Sequence, residues 1–289
     1  MKTTIFTIGA LLCFAANSVL CRLALKDGLI DPTSFTLVRL GSGILILSII
    51  LAASHKNHSS DTSNVKTTTT RGSWRSSLAL FVYAITFSFA YISLDTGTGA
   101  LVLFGTVQIS ILLWQQFNGK SLSLFEWLGA VVAFAGLAYL VYPSIATPSG
   151  TGLALMTVAG CAWAIYTVRG KKSQLPLADT AFNFIRTAPF LLLLALVMHD
   201  ELQISVDGVI YACLSGALAS GIGYTLWYVA LEQLSASLAA VTQLSVPAIA
   251  ALGGVLFVGE VLSLRLTIAA AVIISGIGLV IYASRRGAG

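Results

Sequence analysis

The stretches SFTLVRLGSGILILSIIL, residues 34–51, and AFNFIRTAPFLLLLALV, residues 181–197, are long apolar runs that each carry one arginine, Arg39 and Arg186. Offset by 147 positions (39 to 186), Thr33, Phe35, Arg39, Leu45 and Leu47 fall on Thr180, Phe182, Arg186, Leu192 and Leu194. Arg22 falls on Arg169 at the same offset. Further on, GKSLSL at 119–124 pairs with GEVLSL at 259–264, after which Ala130, Val132, Gly136 and Tyr142 meet Ala270, Val272, Gly276 and Tyr282. The chain reads as one unit written twice, and self-similarity of this kind decides architecture.

Composition says where that unit resides. Hydrophobic residues make up 57% of the chain, charged residues only 9%, and the mean hydropathy is +0.90, far from the averages of soluble domains. Windows of about 19 residues pick out runs of membrane-spanning length almost without pause. Ten are expected, near 4–24, 33–53, 75–94, 99–117, 123–142, 152–169, 180–198, 208–230, 235–257 and 264–283. Continuous runs argue against a β-barrel, whose strands alternate in polarity, and for helices, which satisfy their own backbone groups in lipid. The expected fold is all-α and integral to the membrane, with ten transmembrane helices as two five-helix repeats at 1–143 and 150–284. Because five is odd, the second repeat enters from the opposite face, which makes the repeat inverted. Two like halves of opposite orientation can exchange conformations and expose one central site first to one side, then to the other.

Loop charge sets the orientation, since Lys and Arg collect on the cytoplasmic side. With the N-terminus inside, that side receives eleven basic residues: Lys2, Lys56, Lys66, Arg71, Arg75, Lys120, Arg169, Lys171, Lys172, Arg285 and Arg286. The other side receives Arg22, Lys26 and Arg265, so both termini are expected in the cytoplasm. The formal charge of +5 is then topological, and no basic face with interleaved aromatics points to nucleic acid. The polar, low-complexity stretch at 53–74 reads as a flexible cytoplasmic loop. The apolar run that opens the chain is longer than a typical signal-peptide core and reads as a retained first helix. Cys13, Cys21, Cys161 and Cys213 fall in apolar segments without metal-type spacing, so neither a disulfide framework nor a metal site is expected. No cofactor is implied, and the absence of a P-loop pattern argues against direct ATP hydrolysis.

Residues 235–282, SASLAAVTQLSVPAIAALGGVLFVGEVLSLRLTIAAAVIISGIGLVIY, place a mid-helix proline at Pro247, a Gly-Glu pair at Gly259 and Glu260, and a later glycine at Gly276. With the ten segments and the two repeats, this pattern resembles the EamA-type transporters of the drug/metabolite transporter superfamily over essentially the whole chain. The first half departs from it: Lys120 stands where the family has an acidic residue, and Ser110 lies near the position equivalent to Pro247. The resemblance implies a secondary transporter, not an enzyme, of the bacterial inner membrane. Its cargo would be a small polar or amphipathic metabolite, amino acid-like, amine or drug-like, moved through a cavity between the halves with export favoured. The implied partners are that small molecule and the lipid bilayer, and a homodimer is compatible with the sequence.

A central site is expected where the halves differ, because one asymmetric molecule rarely touches two equivalent positions alike. Asn17 has Ala164 as its repeat partner, and Trp163 and Tyr166 meet Ala16 and Val19. With Tyr83, Gln108, Tyr224 and Gln243 they form the candidate substrate-binding set. Amides in lipid need partners, and amides beside aromatic faces suit amphipathic or cationic organic ligands. The competing reading makes the amides interhelical glue, and places Trp114, Trp227 and Tyr228 in an aromatic belt. Arg39 and Arg186 are expected as snorkelling anchors or gate latches, because the repeat sets them near opposite faces; capture of a carboxylate or phosphate is the alternative. Pro247, as a bend, and Glu260 complete the gate or anchor set, and Arg22 and Arg169 read as interface anchors. Gly129, Gly136, Gly216 and Gly223 are expected to let helices approach closely.

All eleven acidic residues fall in loops or at segment ends, which favours a facilitator or exchanger over a proton relay with a mid-membrane carboxylate. An intramembrane enzyme is the rival from another class, yet no catalytic residue is assigned: His55, His58 and His199 lie in loops, and Ser220 has no helix-borne histidine to activate it. A non-transporting channel or scaffold subunit is the second rival.

Overall fold

The computed structural model describes residues 2–58, 72–119, 123–141, 148–170, 173, 175–231, 242–243 and 245–286. Among them the regular elements are helices, joined by one isolated antiparallel bridge between Ile30 and Ile204. In chain order these are α1 (Lys2–Leu25), α2 (Pro32–His58), α3 (Trp74–Ala90), α4 (Thr96–Phe117), α5 (Leu124–Val141), α6 (Gly150–Gly170), α7 (Pro176–Ile185) and α8 (Ala188–Val197). Then α9 (Val206–Cys213) passes through a π-helical segment, Leu214–Ile222, into α10 (Gly223–Leu231). The last two are α11 (Val246–Gly253), continued by a π-helical turn Gly254–Val258, and α12 (Leu264–Arg286).

Among the described residues, seven helical stretches are long and apolar enough to cross a bilayer. The expected segments at 75–94, 123–142 and 235–257 correspond to shorter helices: α3 with 17 residues, Leu124–Leu140 and Val246–Val258. Positions 235–241, Lys66, Arg71, Lys120, Lys171, Lys172 and Glu232 lie outside the described residues, as does 59–71 of the expected loop. The earlier part of that loop is a correction, since α2 runs on to His58.

Serine and aspartate start several helices. Ser73 Oγ accepts from the Ser76 amide at 3.1 Å, and Ser205 Oγ from Gly208 at 3.1 Å. Ser123 and Glu126 form a reciprocal capping box at α5, with Ser123 N donating to Glu126 Oε2 at 2.7 Å and Glu126 N to Ser123 Oγ at 3.3 Å. Asp31 Oδ1 accepts from the amides of Thr33 and Ser34 at the start of α2, while its Oδ2 accepts from Gln203 N across the molecule at 2.8 Å.

Proline accounts for two interruptions. Pro189 in the first turn of α8 has no N–H for the Ile185 carbonyl, so the seventh expected segment breaks at Arg186 and Thr187. Pro247 lies in the first turn of α11 rather than within a continuous helix. Thr242 and Gln243 are helical before it and Ser245 is a turn, so the helix is interrupted just ahead of Pro247, where a proline removes a donor that a helix start does not use.

Packing then places the site. The α5 and α12 pair stands apart in backbone contact, where a Cβ added at Gly129 would meet the Gly276 carbonyl at 2.5 Å. Elsewhere α3 and α4 pack on α6, α10 and the π-helical segment on α1, α2 on that π-helical segment and on α7, and α11 on both α1 and α4. Gly216 in the π-helical segment admits the Arg39 carbonyl so closely that any side chain would collide with it. The buried cluster at the middle is rich in rings, including Phe35, Phe87, Tyr91 and Phe184.

Candidate functional site

Where α1, α3, α4, α6 and α10 converge, they enclose a narrow cleft. Phe14, Asn17 and Ser18 of α1 face Tyr83 and Phe87 of α3, Leu103 and Phe104 of α4 and Trp163 of α6. Ala219 and Ser220 of the π-helical segment, Tyr224 of α10 and Gln243 complete the lining. The space between atoms is about 420 Å³ with the mouth included, but the volume open to the centre of a water molecule is about 20 Å³. That is room for about one water, so anything larger enters only if the walls part.

Trp163 organises those walls. Its ring stacks on Tyr224 at 5.2 Å and on Tyr166 at 5.4 Å, and meets Tyr83 at 4.8 Å and a tilt of 44°. Phe14 approaches Tyr224 at 5.9 Å and Trp227 at 5.7 Å. Each such pair contributes about 0.5–1.5 kcal/mol beyond burial. The polar side is a chain of hydrogen bonds: Ser215 Oγ donates to Asn17 Oδ1 at 2.6 Å, and Asn17 Nδ2 donates to the Tyr83 hydroxyl at 3.4 Å.

Arg39 joins this chain from behind. Its Nη2 donates to the Tyr83 hydroxyl at 3.1 Å, and its guanidinium lies 5.2 Å from the Tyr83 ring centre and 4.8 Å from that of Phe87. Only 2% of the residue is exposed, and Nε and Nη1 have no hydrogen-bond partner. The expected snorkelling anchor is therefore corrected. Contacts of a cation with desolvated rings reach about 2 kcal/mol, and here they hold the head inward, beside the cleft. Arg186 is different: half-buried at the end of α7, it lies 5.8 Å from the Trp74 ring centre.

Of the candidate set, Asn17, Tyr83, Trp163, Tyr224 and Gln243 line the cleft. Tyr166 backs Trp163 from outside the lining, and Gln108 sits half-buried on α4 away from it. Trp227, expected in the aromatic belt, is buried against Phe14. Sequence reading missed Phe14, Ser18, Phe87, Phe104 and Ser220. Helical spacing carries part of that signal, because Phe14, Asn17 and Ser18 share one face of α1, and Tyr83 and Phe87 share one face of α3.

One end of the bundle is locked. Arg22 donates to the carbonyls of Tyr91 and Ile92, both at 2.9 Å, to Glu260 Oε1 at 3.2 Å and to Asp95 Oδ1 at 3.5 Å. Glu260 in turn accepts from the Thr96 amide at 2.9 Å and from its hydroxyl at 3.1 Å. It caps α4 from across the bundle, at the positive end of that helix. Gly259, at φ 72°, makes the left-handed turn that delivers it. Nearby, Lys26 donates to the Val258 carbonyl at 3.0 Å. Arg22 is thus a buried tie between segments rather than the expected interface anchor. At the opposite end, exposed Arg169 donates to Ser76 Oγ at 3.2 Å and to Ser73 Oγ at 3.5 Å, and Asp179 accepts from the Gly72 amide at 2.9 Å.

A family model for EamA-like transporters matches residues 1–142 and again 150–282. The chain belongs to the EamA-like transporter family. An uncharacterized protein of Pseudomonas aeruginosa is 45% identical over 292 residues, spanning 99% of each chain. An uncharacterized transporter of Archaeoglobus fulgidus is 26% identical over 207 residues, covering 69% of this chain and 73% of that one. A solved crystal structure superposes with a TM-score of 0.67 over 98% of both chains at 18% identity, a likeness of fold. This EamA-like protein is accordingly an integral membrane protein, and its family and relatives point to transport of small molecules rather than to enzymatic chemistry.

Proposed function

We propose that this transporter moves a small amphipathic metabolite through the aromatic cleft by alternating access between two inverted five-helix repeats. The position of the cleft carries the reading: α1, α3 and α4 supply one part of its wall and α6, the π-helical segment and α10 the other, so relative motion of the repeats opens it. The packing supports this. Exchanging each segment for its repeat counterpart turns α3 on α6 into α10 on α1, α4 on α6 into α11 on α1, and α2 on the π-helical segment into α7 on α3, all of which occur. In this reading α7 with α8, and α9 through α10, each count as one span, and α3, α5 and α11 complete ten.

Loop charge assigns both termini to the cytoplasm of a bacterial inner membrane, which sets the Arg22–Glu260 end outside. We assign export as the favoured direction, which makes the tied Arg22–Glu260 end the exit gate. With no carboxylate among the described lining residues, facilitation or exchange fits better than proton coupling.

The test uses a variant free of the four native cysteines, with Trp163→Cys as sole thiol, in oriented membranes. A membrane-impermeant maleimide should label it from either face, with the balance shifted by added substrate. Labelling from one face only, under all conditions, would return the protein to the scaffold reading, and labelling from both faces with a balance that no substrate shifts to the channel reading.

A further inference from the structure

We infer that the cleft is built for a small organic anion, a carboxylate on a flat apolar body, held by the Tyr83 hydroxyl with Arg39 as the countercharge behind it. The inference rests on the cleft being the substrate site and specifies what that site selects.

The charge balance is the first observation. Arg39 is protonated at every physiological pH, lies in the membrane-spanning part of α2, and has no carboxylate paired with it among the described residues. The titratable side chains around it are Tyr83, Tyr224 and Cys21, none of them an acid that balances a cation. The described lining residues add no acidic side chain. Arg39, behind the lining, therefore sets a positive potential beside the cleft in a low-dielectric setting, where an anion is attracted and a cation repelled.

The second observation is how this protein treats an arginine whose work is structural. Arg22 makes four hydrogen bonds to two carbonyls and two carboxylates. Arg39 makes one, and leaves Nε and Nη1 without acceptors. A guanidinium kept buried and under-satisfied costs stability, and a ligand that supplies the missing charge removes that cost.

The third is the Tyr83 hydroxyl. It accepts from Arg39 Nη2 and from Asn17 Nδ2, so its lone pairs are engaged and its own proton remains to be given. Tyr83 lines the cleft, and the proton is polarised by the cation behind it, which makes it a strong donor to a carboxylate. The Trp163, Tyr224 and Phe87 rings beside it give an apolar aromatic lining, which receives a flat apolar body once the walls part. Arg39 acts as a positioning and charge-setting residue through Tyr83. This keeps the amphipathic ligand of the sequence reading, sets aside the cationic one, and gives the carboxylate alternative at Arg39 an indirect route.

The experiment compares three probes of one shape, benzoate, benzamide and benzylammonium, by tryptophan fluorescence and thermal shift on the purified full chain in detergent. Wild type should bind benzoate at least tenfold more tightly than benzylammonium, with benzamide between, and Trp163→Leu should weaken all three. Arg39→Gln should erase the charge preference, Arg39→Lys should retain part of it, and Tyr83→Phe, which keeps the ring and the cation, should reduce it severalfold. Benzylammonium binding as well as benzoate, while Trp163→Leu still weakens both, overturns the anion assignment and leaves the cleft as the site. Absence of Trp163-dependent binding for every probe overturns the cleft reading and the inference with it. A full benzoate preference in Tyr83→Phe removes the route through the hydroxyl.

Discussion

Arg22 and Arg169 occupy positions related by the sequence offset, as do Arg39 and Arg186, yet the members of each pair have different surroundings. Arg22 and Arg39 are 8% and 2% exposed, whereas Arg169 is exposed and Arg186 half-buried. The difference comes from what meets them. Arg22 meets Glu260, and the offset that pairs GKSLSL with GEVLSL sets a lysine, Lys120, where that glutamate stands. Arg39 meets the rings of Tyr83 and Phe87, and Arg186 meets Trp74 beside a break in its own helix. A repeat sets where an arginine enters a helix; the partner from another segment sets its function.

The largest break in this comparison should come from Glu260→Ala. Both partners of the Arg22–Glu260 pair have side chains only 10% exposed, and removing one member of a buried pair costs about 3–5 kcal/mol. The thermal midpoint of the purified protein should fall on the order of 10 °C, with Arg22→Ala close to it. A double variant much less than additive would show that the two residues act as one unit.

Arg39→Met should move in the opposite direction. Replacing an under-satisfied buried cation by an apolar side chain of similar length should raise stability by about 1–2 kcal/mol, read as a higher thermal midpoint. Arg186→Met, at a half-buried position, should stay within about 0.5 kcal/mol of wild type. A fall in stability for Arg39→Met would mean that the cage around it is structural.

The smallest effect is expected at Arg169. Its described bonds go to serine hydroxyls at an exposed end, so Arg169→Ala should cost under about 1 kcal/mol. A loss as large as that of Arg22→Ala would erase the asymmetry between the two ends.

Much of the fold was legible in the chain, because the signal is local: a continuous apolar run in lipid has helix as its one self-satisfying form. Breaks were less legible. Pro247, expected as a bend, opens α11 just past an interruption at Ser245, and Pro189 breaks a helix with no comparable signal. Proline says where a donor is missing, and tertiary packing decides whether the chain continues across the gap. The π-helical stretch at Leu214–Ile222 has no local signal either; it lies where the Arg39 carbonyl of α2 sits against Gly216.

The candidate site was half legible. Contrast between the repeats singled out Asn17 and Trp163, which line the cleft, and Tyr166, which stacks on Trp163 from outside the lining, because a difference between like halves survives in the sequence alone. Phe14, Phe87 and Phe104 escaped notice, since a phenylalanine in a membrane helix looks the same whether it faces lipid or cleft. Gln108 lies off the cleft for the converse reason: a polar residue at the right depth still needs the right helical face.

By itself the sequence determined that this chain is helical, lies in the membrane and is written twice, since hydropathy and self-similarity are properties of residues and their order. Only the tertiary structure decided that Arg39 turns inward onto Tyr83, that Asn17 links Tyr83 to Ser215, and that Glu260 caps α4 while holding Arg22. Each of those contacts joins residues far apart in the chain. A charged or polar group in lipid takes whichever partner the packed helices bring within reach, and that choice is not written in the group's own neighbourhood.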